Sequence, residues 1–325
     1  MNGYSCISGT GSFFPDKVLT NEELEKMVDT SSEWIVTRTG IQERRIAEKE
    51  TCCEMAAEAS KEALKSANIN ADEVDGIIMA SFTSDTIMPS GACRLQHMLG
   101  IKKGFAFDVS AACTGFIYAA GVADSLIKNR MADNILVVGA EKLSPFVDWK
   151  DRNTCILFGD GAGAVVLSRS QAAGIRSINL YANGKHAELL KLPVLGSDFF
   201  SKRDVLDIES NLIKMKGNEV FKIAVTAMAE ATATAVKKSD FSAEDVDWFI
   251  PHQANIRIID AAAKRIGLSS EKVIVTLNKF GNTSSATIPT SLDFAVKDGR
   301  IKQGDNIVSA AFGGGLTWGS MSFTL

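Results

Sequence analysis

Histidine is scarce in this chain, and its cysteines follow no paired spacing. Only three of the 325 residues are histidine, and no two of the six cysteines are separated by two residues. Zinc sites draw on clustered cysteine and histidine, and disulfide frameworks draw on regularly spaced cysteine. We therefore predict no metal site, and this cysteine usage is typical of a reducing cytoplasm.

Long apolar runs and a strong charge of either sign are also absent. No run approaches the ~20 residues that span a bilayer. The N-terminus lacks the basic and apolar regions of a signal peptide. The net charge of −4 argues against a nucleic-acid partner. A composition of 46% hydrophobic and 23% charged residues predicts a globular protein with no membrane partner and a cytoplasmic location.

Parts of the sequence recur at a constant offset. An Ala-(Asp/Glu)-(Asp/Glu)-Val-Asp run containing Val74 is repeated around Val246, and an Asp-Asn-Ile run ending at Ile135 is repeated at Ile307. Both offsets are 172 residues, which indicates one internal duplication. We predict two α/β halves, residues 1–175 and 176–325, and expect strand 105–109 to have its counterpart at 273–277.

The predicted strands are continuous apolar runs, and they alternate with helical segments. Helices are predicted over 55–67, 218–238 and 254–266 from apolar periodicity. Continuous apolar strands are typical of sheets that helices cover on both faces. Residues 180–216 show less periodicity, and we predict a surface excursion there.

Cys113 follows the apolar strand 105–109 and begins an apolar helical stretch at 114–127. A helix N-terminus stabilises a thiolate and can make the sulfur nucleophilic. A lone cysteine is also a common buried apolar residue, so this segment alone leaves catalysis and packing open.

Two later polar residues are predicted to lie near Cys113. His252 comes directly after a buried strand and before a helix, and Asn282 follows Gly281 at the start of another helix. In the duplicated arrangement both positions approach the Cys113 turn. The alternative is that each side chain merely caps the helix that follows it.

Two glycine-rich segments raise the question of an anion site. Gly313, Gly314 and Gly315 follow a strand, and consecutive glycines let backbone N–H groups converge on an anion. The alternative is a flexible turn, and the missing Lys-Ser/Thr excludes a P-loop. The glycines in 158–163 do not have dinucleotide-binding spacing, so that reading has little support.

Taken together, these segments resemble the β-ketoacyl-[acyl-carrier-protein] synthase III family, condensing enzymes of the thiolase fold. The resembling segments run through the whole chain, at 9–15, 32–41, around Cys113, 158–163, 217–221, 251–255, 281–285 and 312–315. Elongating relatives carry two active-site histidines, whereas this chain has Asn282 in the place of the second one. The resemblance implies two duplicated α/β halves in five layers, α-β-α-β-α.

The resemblance also implies a mechanism. Cys113 would attack an acyl-CoA, with the backbone N–H groups of Cys113 and Gly314 holding the oxyanion. Malonyl-acyl-carrier protein would then lose carbon dioxide, and His252 Nε2 and Asn282 Nδ2 would stabilise the enolate that attacks the acyl-cysteine. Coenzyme A enters as a thioester substrate, and no cofactor is implied.

Binding residues follow from the same resemblance. Trp34 and Arg152 would sandwich the adenine of coenzyme A, and Arg38 would reach its phosphates. The pantetheine wall would comprise Gly217, Phe221, Ala254 and Asn255. The patch that docks the acidic carrier protein would comprise Lys222, Arg257, Lys264 and Arg265. The alternatives are a core position for Trp34, a surface ion pair for Arg152 and a solvated helix face for the basic patch.

One departure affects the choice of primer. The family shapes its acyl pocket with a bulky residue, commonly phenylalanine, contributed across a homodimer interface; this chain has Met88 there. A homodimer is therefore implied, and the apolar segment 79–93 would support it. A flexible thioether can admit a different primer.

The predicted function is that of the initiating condensing enzyme of fatty-acid synthesis, with acetyl-CoA as the expected primer. One alternative is a secondary-pathway condensing enzyme of the same fold that uses a longer or branched acyl-CoA. A non-catalytic binding protein is disfavoured by the intact Cys113, His252 and Asn282. A redox-sensing role for Cys113 lacks an obvious resolving cysteine.

Overall fold

The computed structural model describes residues 4–172, 174–193 and 212–325. Its strands are β1 Tyr4–Phe13, β2 Val18–Thr20, β3 Glu43–Arg45, β4 Gly76–Ala80, β5 Phe105–Val109, β6 Asn134–Glu141, β7 Gly161–Ser170, β8 Ile175–Ala182, β9 Leu190–Lys191, β10 Lys214–Met215, β11 Trp248–Pro251, β12 Asn306–Gly313 and β13 Thr317–Thr324. Its α-helices are α1 Asn21–Leu24, α2 Ser32–Thr39, α3 Cys52–Ala67, α4 Gly91–Met98, α5 Gly115–Lys128, α6 Arg152–Cys155, α7 Gly217–Lys237, α8 Ile256–Arg265, α9 Leu277–Phe280 and α10 Thr287–Lys297.

Two mixed sheets form the centre of the molecule. The first has the strand order β1-β7-β6-β4-β5, and the second has the order β11-β12-β13-β8. Strand β4 pairs parallel with β5 and β6, and β11 pairs parallel with β12. The carboxyl ends of these parallel strands carry the loops that build the site described below.

Helices separate and cover the two sheets. Helix α3 packs on the first sheet, α7 packs on the second, and α5 and α10 lie between the sheets. One apolar cluster fills the layer between the sheets, with Phe116 and Ile288 among its buried residues. Because each sheet is covered on both faces, its strands are continuous apolar runs, and the predicted five-layer α/β fold is confirmed.

The duplication is visible in the backbone. A 3₁₀ turn precedes α5, and an equivalent 3₁₀ turn precedes α10 at the same 172-residue offset. The first residues of these turns, Ala112 and Ser284, both have positive φ, 46° and 53°. Positive φ is uncommon for residues with a side chain, so the two turns share an unusual geometry.

One predicted strand does not form. Residues 273–277 make a single bridge, from Val273 to Phe249, before helix α9 begins. The prediction was wrong because the side chain of Gln253 takes over the backbone partners there. Its Oε1 accepts from the N–H groups of Thr276 and Leu277, at 2.9 and 3.1 Å.

The other predicted elements agree closely with the structure. Strand β5 has the predicted bounds, and α7 begins and ends one residue before the prediction. The division at residue 175 stays a prediction, although the chain passes from the first sheet to the second between Ser170 and Ile175. Of the predicted excursion 180–216, residues 194–211 lie outside the described residues. In the described part of the chain, no helix is long and apolar enough to cross a membrane.

Candidate active site

Cys113 lies at the amino end of α5, in the 3₁₀ turn Ala112–Thr114 that follows β5. Its residue surface is 8% exposed. The carboxyl end of β12 packs against it, because a Cβ added to Gly313 would lie 2.7 Å from the Cys113 backbone nitrogen. Only glycine permits this approach.

Burial, rather than the helix, dominates the acidity of this thiol. Burial raises the pKa of Cys113 to about 12, and the nearby Glu141 carboxylate adds to the increase. The stabilisation of a thiolate by the helix N-terminus does not prevail here, because desolvation of the charged sulfur outweighs the favourable dipole. Cys113 is a neutral thiol at rest.

His252 follows β11 and is buried. Its backbone N–H donates to Ala310 O at 2.8 Å, and its Nδ1 lies 2.7 Å from the Thr287 hydroxyl. Burial lowers the pKa of the imidazole to about 3, so the ring is neutral. Helix α8 is capped by Asn255 instead, whose side chain accepts from Arg257 N, so His252 is not a capping residue.

Asn282 is held from both sides. Its backbone N–H donates to Leu157 O at 2.8 Å, and its carbonyl accepts from Gly159 N at 3.1 Å. Its side-chain Oδ1 accepts from Ser284 N at 2.8 Å, as a capping asparagine would. That bond orients the amide and leaves Nδ2 as its donor.

The segment from Phe158 to Gly163 holds Asn282 in place and has no sign of a nucleotide-binding role among the described residues. Asp160 is buried and accepts from the backbone N–H groups of Ala47, Leu143 and Ser144, at 2.7 to 2.9 Å. This clamp fixes the segment that pairs with Asn282. The glycine pattern was noticed in the sequence, but its supporting role depends on distant partners that no local motif shows.

A pocket of about 310 Å³ opens onto Cys113. We call it the catalytic pocket; it is lined by Phe82, Ser110, Ala111, Ala112, Cys113, Phe158, Leu190, Lys191, Leu192, Ile213, Ser284, Gly314, Gly315 and Thr317. Residues 190–192 and 213 belong to the segment predicted as a surface excursion. That prediction was wrong for the buried Ile213, because low periodicity does not distinguish a loop over solvent from a loop over a pocket. Lys191 is exposed, as a surface segment predicts.

Ser284 connects the three predicted catalytic residues. It lines the pocket with Cys113, its N–H binds Asn282 Oδ1, and its carbonyl accepts from the Thr287 hydroxyl at 2.9 Å. That hydroxyl is also the partner of His252. The structure therefore brings Cys113, His252 and Asn282 together around a residue that sequence reasoning missed. Gly314 lies in the same pocket, beside Ala112.

The predicted adenine clamp lies on the surface near α2 and α6. The Arg152 guanidinium stacks 4.8 Å from the centre of the Trp34 ring, and Arg38 lies 5.6 Å from the same ring. Trp34 is only partly buried, so it is not a core tryptophan. Arg152 also donates to Asp29 O at 2.8 Å. A base that entered between the two groups would have to displace the guanidinium.

The remaining predicted binding residues border the second sheet. Gly217 begins α7, Phe221 lies one turn later, and Ala254 and Asn255 precede α8. The side chain of Asn255 already makes hydrogen bonds within the chain, since its Nδ2 donates to Arg38 O at 2.9 Å. The basic residues of the predicted patch are all exposed: Lys222, Arg257, Lys264 and Arg265. Arg257 also stacks on Phe221 at 4.8 Å.

Met88 lies on an exposed loop. Its residue surface is 87% exposed and that of Ile87 is 69% exposed, whereas Met79 is fully buried. The predicted interface segment 79–93 is thus apolar surface only at its centre. Met88 does not line the catalytic pocket of its own chain, so its predicted role depends on a second copy.

Comparison with known proteins gives one consistent family. The models for 3-oxoacyl-[acyl-carrier-protein] synthase III and for its C-terminal domain match residues 107–184 and 236–325. A β-ketoacyl-[acyl-carrier-protein] synthase III of Vibrio parahaemolyticus is 52% identical over 98% of both chains. That of Aquifex aeolicus is 51% identical over 97% of both.

Solved structures agree. The synthase III crystal structure from Aquifex aeolicus has a TM-score of 0.92 and 49% identity, and the match covers 99% of this chain and 100% of that one. The priming β-ketosynthase of the R1128 polyketide pathway has a TM-score of 0.94 and 33% identity, covering 99% and 96%. The fold is thus that of the thiolase-like condensing enzymes.

Within that class, the chain belongs to the β-ketoacyl-[acyl-carrier-protein] synthase III family. Its predicted family, fold class and type of enzyme, a condensing acyltransferase of fatty-acid synthesis, are confirmed. The roles of individual site residues stay predictions.

Proposed function

We propose that this chain starts fatty-acid synthesis by condensing an acyl-CoA primer, acetyl-CoA first, with malonyl-acyl-carrier protein. The supporting observation is that Ser284 lines a pocket with Cys113 and is linked by hydrogen bonds to Asn282 directly and to His252 through Thr287. A thiol that lines a pocket, with uncharged hydrogen-bond donors linked to it through a neighbouring serine, suits acyl transfer followed by enolate chemistry.

The first half-reaction is acylation of Cys113. The sulfur attacks the thioester carbonyl, and the negative oxygen accepts hydrogen bonds from the N–H groups of Cys113 and Gly314. Collapse of the intermediate breaks the bond to the coenzyme A sulfur, which leaves with the proton of the Cys113 thiol. Loss of one oxyanion donor typically costs about 3–4 kcal/mol of barrier.

The second half-reaction is decarboxylative condensation. His252 Nε2 and Asn282 Nδ2 donate to the malonyl thioester oxygen as carbon dioxide leaves. The resulting enolate carbon attacks the acyl group and expels the Cys113 sulfur, which then takes up a proton. Neither donor is charged, since the imidazole is neutral and an amide does not titrate. A carboxylate at either position would repel both malonate and enolate.

Substrate binding uses two surfaces. Trp34, Arg152 and Arg38 bind the nucleotide of coenzyme A, while Gly217, Phe221, Ala254 and Asn255 border its pantetheine arm. Lys222, Arg257, Lys264 and Arg265 attract the acidic carrier protein; their exposure and shared surface on α7 and α8 support this role. No metal or other cofactor takes part, and the proposed location is the cytoplasm.

The functional unit is a homodimer. Strand β5 is the edge of the first sheet, and its five residues are only partly buried. An exposed sheet edge favours pairing with another strand, and the exposed Ile87 and Met88 lie on the loop after β4. Met88 of each copy would contribute to the acyl pocket of the other. A monomer mass by light scattering at assay concentration would contradict this arrangement.

A longer or branched primer is the second candidate. Leu190, Leu192 and Ile213 give the catalytic pocket an apolar wall, and about 310 Å³ exceeds the needs of an acetyl group. Such a primer would place the chain in a secondary pathway with the same chemistry.

Mass spectrometry after incubation with a panel of acyl-CoAs, from acetyl through branched chains to octanoyl, tests the proposal. We expect an acetyl adduct on the Cys113 peptide, absent in the Cys113→Ser variant. Preference for longer chains would favour the secondary pathway and make Met88→Phe the next variant. A folded protein that takes no acyl group from any donor would overturn the covalent mechanism.

A further inference from the structure

Two adjacent serines beside the nucleophile differ in the partners of their hydroxyl groups. The Ser285 hydroxyl lies 2.9 Å from Ala80 O and 3.1 Å from Glu141 Oε1. The Ser284 hydroxyl is buried and has no hydrogen-bond partner among the residues that the structure describes. A buried hydroxyl without a partner is unfavourable, so Ser284 is suited to a partner that appears during the reaction.

Ser284 is placed to act on the reacting sulfur, because it lines the catalytic pocket with Cys113. Its hydroxyl lowers the pKa of the Cys113 thiol, opposing the larger effect of burial, and it also lowers the pKa of the Glu141 carboxyl group. The backbone of Ser284 is fixed by its bonds to Asn282 and Thr287. The backbone that carries the hydroxyl is therefore fixed, and the hydroxyl has no existing hydrogen bond to break before it donates.

The unusual backbone of Ser284 does not explain this arrangement. Ala112, its counterpart in the first half, has nearly the same positive φ and carries no hydroxyl. The geometry of the turn therefore belongs to the duplicated fold. What distinguishes Ser284 is the hydroxyl group itself.

The chemistry places a negative charge where this hydroxyl lies. The Cys113 sulfur becomes negative as it gives up its proton, and it leaves with the same charge after condensation. Glu141 disfavours that charge. His252, linked to Ser284 through Thr287, is neutral and does not offset it. A fixed donor aimed at a developing charge is an effective catalytic device in a buried site.

We propose that Ser284 is a further catalytic residue, whose hydroxyl donates a hydrogen bond to the Cys113 sulfur while that sulfur is negatively charged. The inference rests on the proposed function. No proton moves from Ser284: the thiol proton leaves on coenzyme A during acylation, and a proton from solvent restores the thiol after condensation. Ser284 thus serves both half-reactions, whereas His252 and Asn282 serve mainly the second.

Alkylation of Cys113 by iodoacetamide tests this without any acyl donor, because its rate reports the thiolate. The full-length protein is alkylated near pH 8 and the Cys113 peptide is quantified by mass spectrometry. We expect Ser284→Ala to slow this rate by about ten- to hundredfold, the range for a hydrogen bond to a charged group. The matched control, Ser285→Ala, should stay within about threefold of the parent, since its hydroxyl already binds elsewhere.

Ser284→Gly separates the hydroxyl from the backbone and provides a second variant if Ser284→Ala does not fold. Glycine accepts positive φ without strain, so equal losses in both variants assign the effect to the hydroxyl. Parental alkylation and parental acylation by acetyl-CoA in a folded Ser284 variant would overturn the inference. Failure of the parent protein to take up any acyl group would instead overturn the proposed function.

Discussion

The hydroxyl of Thr287 lies 2.7 Å from Nδ1 of His252 and 2.9 Å from the carbonyl oxygen of Ser284. A hydroxyl has one proton to donate. The Ser284 carbonyl also accepts from the Thr287 backbone N–H, so it keeps a partner when the hydroxyl turns to His252. In the arrangement that the proposed condensation requires, the hydroxyl donates to Nδ1 instead, and the single proton of the neutral imidazole resides on Nε2.

Thr287→Val should therefore impair condensation more than acylation. Valine keeps the shape of threonine and removes the hydroxyl, so the Nε2–H tautomer loses its support. We expect condensation to slow by about tenfold, the kinetic equivalent of roughly 1.4 kcal/mol, with single-turnover acetylation of Cys113 little changed. Thr287→Ser should restore the rate, and ¹⁵N shifts of the His252 ring report the tautomer directly. Equal losses in both half-reactions would contradict this role.

Trp34→Ala should weaken the binding of coenzyme A thioesters without changing the chemistry. Stacking a base on an aromatic ring contributes about 1–3 kcal/mol, so we expect KM for acetyl-CoA to rise by about ten- to hundredfold with kcat nearly unchanged. Acetyl-pantetheine, which lacks the nucleotide, is the matched control and should not distinguish the variant from the parent. An equal loss with both substrates would place Trp34 outside the adenine site.

Gly313→Ala should slow the proposed acylation of Cys113. The added Cβ would lie 2.7 Å from the Cys113 nitrogen and 2.9 Å from its Cβ, so the turn that carries the sulfur must shift. A displacement of about 1 Å in an active site can cost about a hundredfold, and we expect at least that loss in acylation rate. Gly184→Ala is the control, since nothing lies within 4 Å of its added Cβ. Normal acylation by Gly313→Ala would show that the contact is not required.

Glu141 should give stability a distinct pH dependence. Burial raises the pKa of its carboxyl group to about 7, although hydrogen bonds from Thr83 and Ser285 oppose the increase. Between its ordinary value of 4.5 and about 7, the folded chain keeps a proton that the unfolded chain has lost. The free energy of unfolding should therefore fall as pH rises through this interval.

Glu141→Gln removes this titration while keeping the size of the side chain. We expect the difference in unfolding free energy between parent and variant to change by about 3 kcal/mol from pH 4.5 to 8, at roughly 1.4 kcal/mol per pH unit. Urea unfolding at a series of pH values measures it. Parallel pH profiles for the two proteins would show that Glu141 titrates equally in both states.

The sequence predicted most of the fold because its signals are local or repeated. Strand β5, helix α7 and the 172-residue offset rest on apolar patterns that neighbouring residues supply. The counterpart of β5 failed because Gln253, more than twenty residues away, binds the backbone of Thr276 and Leu277. No pattern within a strand can show that a distant side chain takes its hydrogen bonds.

The predicted site residues also divide into those with a local signal in the sequence and those that depend on the assembled fold. Cys113, His252 and Asn282 were predicted as site residues because each is a polar or reactive residue that follows a predicted apolar strand. Ser284 was missed because a serine after an asparagine looks like ordinary turn chemistry. The helix before which Cys113 lies can be predicted from local sequence and would favour a lowered pKa. Burial, which raises the pKa instead, depends on the assembled fold, including Gly313 from near the other end of the chain.

The twin 3₁₀ turns have a consequence for how new chemistry could enter this scaffold. Ser285 occupies in the second half the place that Cys113 occupies in the first. The two halves therefore offer equivalent backbone positions for a reactive side chain, and only the first half has a cysteine there. Ser285 at the second position binds Ala80 O and Glu141 instead. The two halves therefore differ at this position in their side chains, whereas the backbone turn is the same.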